Sequence, residues 1–327
     1  MKRREFIKKS LSLSSGIILP VQASSFRLKP PTDGRKSTVV ISRLAQQHIK
    51  ADARQISTLL DKALMAFFNR DDPISAWKQV VRPGERVGLK VNCLAGRGST
   101  HTALVDHIAE RLQEAGIDAG DILIWDRFNR DLEDGGFTIR DSGNRVRCYG
   151  NDSVGFEYDL QMYGSAASRV TKIVTRQCDA IINLPLLKDH SIAGVTCSLK
   201  NMFGAIHNPN KFHIKHGDPY IADVNRYPAL YGKIRLHICD ALEAQYQGGP
   251  SFMPHWRWIY NGLLVAQDPV ALDYTGWQII EKKRKEMGLP SLKEEKREPG
   301  YIATAADWDH RLGTNNPKEI LIKNETV

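Results

Sequence analysis

Apolar positions along the chain recur with two different periods, and the switching between them predicts the elements. The β-branched run "STVVISR" reads as a strand. Ile56, Leu59, Leu60, Ala63, Leu64 and Phe67 then recur at helical spacing, which predicts a helix with one buried face. The theme repeats: "RVGLKVN" reads as a strand, "HTALVDHIAERLQEAG" as a helix closed by Gly116, and "DILIWD" as the next strand. Strands and helices alternating in such short order imply parallel pairing with right-handed crossovers.

Residues 127 to 168 break this rhythm, being rich in Asp, Gly, Asn and Arg, and predict loops or a small antiparallel insertion. Order returns with "RVTKIV" and with "DAIINLP" (179–185), whose near-continuous apolar character suits a strand buried on both faces. "GKIRLHICDAL" predicts a strand ending near Asp240, and "NGLLVAQ" another. Asp268 and Pro269 open a helix, as N-cap and first residue, that runs through Val270, Leu272, Trp277 and Ile280. A short helix around Trp308 and a last strand, "EILIKN", complete the chain. The expectation is one α/β domain over residues 38–327: a mainly parallel, Rossmann-like sheet with helices on both faces and a small irregular insertion.

The N-terminal stretch "MKRREFIKKSLSLSSGIILPVQASS" belongs to no such element. A basic start, a short apolar run from Leu11 to Val21 and small residues at Val21 and Ala23 follow the plan of an export signal. The apolar run is too short and too rich in serine for a membrane-spanning helix. Arg3-Arg4 followed by Glu5-Phe6-Ile7-Lys8 resembles the twin-arginine signal, which implies passage in the folded state through the twin-arginine machinery, cleavage after Ala23 and a periplasmic address. Residues 24–37 are then a linker.

Removing that signal changes the charge. Residues 1 to 23 hold five basic residues and one acidic, so the formal charge falls from +9 to +5. With basic residues spread along the chain and no platform of stacking aromatics, nucleic acid is excluded as a partner. The five cysteines are far apart, with no C-x-x-C spacing, which disfavours a local iron–sulfur or thiolate zinc site and makes small buried hydrophobes of most of them. At 327 residues, 42% hydrophobic and 25% charged, the chain has material for a core that needs no disulfide.

Chemistry in a parallel sheet gathers beyond the carboxyl ends of the strands. Three stretches qualify. After "RVGLKVN" come Asn92, Cys93 and "AGRGSTH", where Arg97 is a candidate to hold a carboxylate or phosphate. After "LHICD" comes "QGGP". After "DAIINLP" comes the richest window, residues 188–218, with four of the ten histidines: His190, His207, His213 and His216. There His190 is a candidate acid/base, and Lys200, in apolar company, a candidate nucleophile or cofactor anchor beside Asn201. His207, His213 and His216 are candidate metal ligands, the H-x2-H pair of the last two above all.

The blocks "LPLLKDHSIAGVTCSLKNMFGAI", "ICDAL…QGGP" and "AQDPVALD" resemble, in this order, the bacterial family known as domain of unknown function 362. Family members often carry ferredoxin-like cysteine segments, which this sequence lacks. The "H…AG…K" block is also distantly similar to the N-terminal domain of nickel-pincer lactate racemases. That likeness implies an acid/base role for His190, a covalent cofactor anchor at Lys200, a nickel ligand at His216 and a substrate-carboxylate contact at Arg97. Where the racemases have a glycine pair before the lysine, this chain has Cys197-Ser198-Leu199.

Two readings from different classes follow. One is an exported enzyme using a metal or cofactor on a small anionic substrate, with racemase-like or redox chemistry. The other is a non-catalytic metal-binding or maturation partner of an exported redox complex.

Overall fold

The computed structural model describes residues 36–46 and 49–327; the expected signal and nearly all of the linker lie outside the described residues. The first strand, β1 (Ser37–Arg43), leads to helix α1 (Ala53–Phe68) and the short α2 (Pro73–Trp77). Asp52 caps α1: its carboxylate accepts the Gln55 N–H at 2.8 Å while the Gln55 side chain accepts the Asp52 N–H at 3.0 Å. β2 (Val87–Lys90), α3 (Thr102–Glu114) and β3 (Ile122–Trp125) form the expected parallel unit.

The irregular insertion contains α4 (Asn129–Asp134), β4 (Arg147–Cys148) and an antiparallel ribbon of β5 (Gln161–Tyr163) with β6 (Ala166–Ser168). "RVTKIV" makes no strand: Val170 and Thr171 form single bridges and Ile173–Gln177 a π-helical turn that leads into β7 (Ala180–Asn183). β8 (Leu186–His190) and β9 (Gly194–Thr196) form a hairpin, followed by α5 (Ser198–Asn201) and α6 (Tyr220–Asn225). The chain closes with β10 (Ile234–Gln245), β11 (Arg257–Ala266), α7 (Pro269–Glu286), α8 (Tyr301–Ala306) and β12 (Ile320–Thr326). The last helix sits just before Trp308, because the chain turns out of helix at Asp307.

The sheet runs in the order β12, β1, β11, β10, β7, β2, β3, β4, with β8 and β9 attached beside β10. Pairing is parallel except where β11 lies antiparallel between β1 and β10 and where β9 folds back on β8. Alternate residues serve opposite cores. Ile122 and Ile124 of β3 face the layer built by α1, α2 and α3, while Leu123 and Trp125 face the layer of α5, α6, α7 and α8. Leu263 and Val265 against Leu264 and Ala266 repeat the pattern on β11. All five cysteines are free and buried.

Candidate functional site

The carboxyl ends of β2, β3 and β7 point to one end of the sheet, and the β8–β9 hairpin rises beside them. Between them lies a cavity of about 360 Å3. Lys90, the last residue of β2, is buried there against Asp126, which follows β3; its Nζ donates to Asp126 Oδ1 at 2.7 Å. The other carboxylate oxygen of Asp126 accepts the Cys93 N–H at 2.7 Å. Gly204 lets the wall approach this pair: a Cβ there would lie 2.8 Å from Lys90 Nζ and 2.9 Å from Asp126 Oδ1.

A chain of amides joins this pair to the rest. Asn92 Nδ2 donates to Asn201 Oδ1 at 2.9 Å, and Asn201 Nδ2 to Asn183 Oδ1 at 2.7 Å. Asn201 is thus fixed at the end of α5, whose first N–H groups, from Ser198 and Leu199, donate to the buried Asp273 carboxylate on α7. Burial pushes that carboxyl up to about 7. The glycine pair expected of the racemases is replaced by residues that tie this helix down.

On β8, Lys188 and His190 face the cavity and Asp189, between them, faces away. Lys188 is 4% exposed; its Nζ donates to Asn92 Oδ1 at 3.0 Å and to the Pro250 carbonyl at 3.4 Å. Burial pulls its pKa down to about 8. Lys200 is 8% exposed, and burial, with the Lys188 charge, pulls it to about 7. Its Nζ lies 2.9 Å from His213 Nε2 and 4.8 Å from the centre of the Phe203 ring. Among the described residues neither amine has a carboxylate at ion-pair distance. Thr196, opposite Lys188 in the hairpin, has a buried hydroxyl with no partner.

Two imidazoles stack at this wall, His190 on His213, with ring centres 5.5 Å apart and planes 19° from parallel. Their neighbours assign opposite tautomers. His190 Nδ1 accepts the N–H groups of Ile192 and Ala193, each at 3.1 Å, which leaves its proton on Nε2. His213 Nε2 accepts from the Lys200 amine at 2.9 Å, which leaves the His213 proton on Nδ1. Burial and the Lys200 charge depress both, His190 to about 2 and His213 to about 4, so both are neutral near pH 7.

The remaining expected residues lie elsewhere. Arg97 is exposed in a turn and lines no part of the cavity. His207 is exposed, packed edge-on against Phe156. Lys215 and His216 both take left-handed backbone (φ 51° and 61°), which breaks the helical path assumed for H-x2-H and swings His216 outward. There its Nδ1 pairs with the Ile192 carbonyl at 2.9 Å. His207, His213 and His216 therefore do not converge, and among the described residues no group of three or more His, Cys, Asp or Glu side chains could hold a metal ion. The sequence reading missed Lys90 and Asp126. The signal available was a lysine inside an otherwise apolar strand, "VGLKV".

The family model described as "Domain of unknown function (DUF362)" matches residues 87–278. The chain belongs to the DUF362 family. That matched segment contains every residue lining the cavity, from Lys90 to Pro250, whereas β1, α1, α2 and β12 lie outside it. Among similar proteins, the thylakoid-associated protein sll1697 of Synechocystis sp. is 27% identical over 279 residues, covering 77% of this DUF362 chain and 79% of that protein. A solved structure from Thermotoga maritima shares 11% identity at a TM-score of 0.41, over 74% of this chain and 61% of that one. The chain thus spans about three-fifths of that protein's length.

Proposed function

We propose that this DUF362 chain is an exported enzyme that binds a small anion in the cavity beyond β2, β3 and β7 and performs proton-transfer chemistry on it. One observation carries the reading: two buried lysines, Lys188 and Lys200, share a cavity, and among the described residues no carboxylate is paired to either. A buried cation without a counterion costs several kcal/mol, and an anionic ligand offsets that cost. The unpartnered Thr196 hydroxyl adds a donor, and Leu94, Ile192, Phe203 and Pro209 suit an apolar body on the ligand.

In this reading Lys188 holds the anion, since two acceptors fix its protons. Lys200 with His213 Nε2 moves a proton, and His190, protonated on Nε2, donates a hydrogen bond to the substrate. Lys200, a buried amine at a cavity wall, suits the anchoring role that the likeness to nickel-pincer racemases implies. The likeness does not fit at His216, which is exposed and tied to the Ile192 carbonyl, so no step is assigned to nickel. Export by the twin-arginine route rests on the leader sequence alone.

The test is calorimetric titration of the untagged full-length protein with oxamate and inorganic phosphate. Binding of either anion, weakened at least about tenfold (about 1.4 kcal/mol) by Lys188→Met, is expected. Unchanged affinity in Lys188→Met would reject the site.

A further inference from the structure

Lys188 and Lys200 occupy the same cavity but keep different company. Lys188 donates to two oxygen acceptors, a setting that favours its ammonium form. Lys200 has a single polar partner among the described residues, the lone pair of His213 Nε2 at 2.9 Å. That nitrogen accepts a hydrogen bond from the amine and can donate none while the His213 proton is on Nδ1. The Phe203 ring closes a third side of the amine.

We infer that Lys200 is a nucleophilic amine that forms an imine with the carbonyl carbon of a 2-oxo carboxylate whose carboxylate is held by Lys188. The inference rests on the anion-binding reading above and adds the substrate class. Apolar walls at Phe203, Ile192 and Pro209 favour a 2-oxo acid with an apolar tail.

The step balances without an external oxidant or reductant. Lys200 reacts as its free amine, with an N–H donated to His213 Nε2. The amine lone pair attacks the carbonyl carbon, a C–N bond forms, and the carbonyl electrons move to oxygen, which His190 stabilises from its Nε2–H. The nitrogen then loses a proton, the oxygen is protonated twice, and the C–O bond breaks to release water as nitrogen donates its lone pair. One amine, one ketone and one proton give one protonated imine and one water. The free-amine fraction that starts the step exists near neutral pH because burial and the Lys188 charge bring Lys200 to about 7.

The experiment treats the full-length protein with phenylpyruvate or pyruvate and sodium cyanoborohydride, then maps reduced adducts by peptide mass spectrometry. The expected result is one dominant adduct, on Lys200, absent in Lys200→Arg and suppressed by excess oxamate. Its rate should fall about tenfold per unit below pH 7, following the free amine. Because the adduct is mapped in the unaltered protein, the conclusion stands whether or not the arginine variant folds. Oxamate binding without an adduct on Lys200, or adducts spread evenly over surface lysines, overturns the imine and leaves the anion site intact. Neither binding nor adduct overturns both.

Discussion

Strand β8 has two faces that solve the same electrostatic problem in opposite ways. Asp189 points to one side, where Arg297 donates to its carboxylate at 3.0 Å and to Glu295 at 2.6 Å, and Arg284 meets Glu295 at 2.7 Å. The guanidinium groups there also donate to Gln247 and to the carbonyls of Tyr246 and Pro290, so the buried charges are paired and their hydrogen bonds are satisfied. Lys188 and His190 point to the other side, where, among the described residues, Lys188 and Lys200 have no carboxylate at ion-pair distance and Thr196 has an idle hydroxyl. A complete network closes around itself and leaves nothing for a ligand. An incomplete one, at the rim of a cavity, is finished by a ligand. The difference separates a structural polar cluster from a site without reference to any relative.

Breaking the closed face should cost most. Arg297→Ala leaves Asp189 buried without its cation and is expected to destabilise the protein by about 3–5 kcal/mol, read from denaturant midpoints at constant slope. If the loss is under about 1 kcal/mol, the closed network has been misjudged.

The open face should respond with the opposite sign. Lys200→Met removes an uncompensated buried amine while keeping its length, so a gain of about 1–4 kcal/mol in unfolding free energy is expected. A loss of that size would mean that Lys200 has a counterion in the free protein.

The pH dependence of that gain sharpens the contrast. Lys188 and Lys200 have folded pKa values of about 8 and about 7 against an ordinary 10.5, so the folded state binds fewer protons than the unfolded one between these values. Their penalty is full below about pH 7 and fades toward pH 10.5. The stability difference between the Lys188→Met/Lys200→Met double variant and the parent should therefore shrink steadily as pH rises through this window. A difference independent of pH would show that the amines are not the cause. Taking the difference removes other titrations, such as that of His101. Its pKa is raised to about 10 by the Asp240 carboxylate, and its stabilisation, complete below about 6.5, is lost as pH rises through about 10.

The smallest effect belongs to a histidine outside both faces. His207→Ala should change stability by no more than about 0.5 kcal/mol and leave oxamate affinity unchanged, checked by melting and calorimetry. Loss of anion binding in that variant would place His207 in the site after all.

Local pattern settled much of this molecule. Short, near-continuous apolar runs gave β1, β2, β3, β7 and β11 their places because a strand buried on both faces admits little else, and Asp268-Pro269 started α7 because a capping carboxylate and a preset φ both favour that turn. The same local reading located His190, Lys200 and Asn201, which follow one strand closely enough for spacing to place them at its end. It failed wherever the answer depended on distant chain. Lys90 reaches Asp126 and Asn201 only because parallel pairing sets the ends of β2, β3 and β7 side by side, across more than a hundred residues for Asn201. The spacing of His213 and His216 promised convergence, but two left-handed residues and one bond to the Ile192 carbonyl sent them apart. Sequence alone determined which residues must be buried and which could do chemistry. Only the tertiary structure decided which charges were answered, because a countercharge is a neighbour in space and leaves no period along the chain.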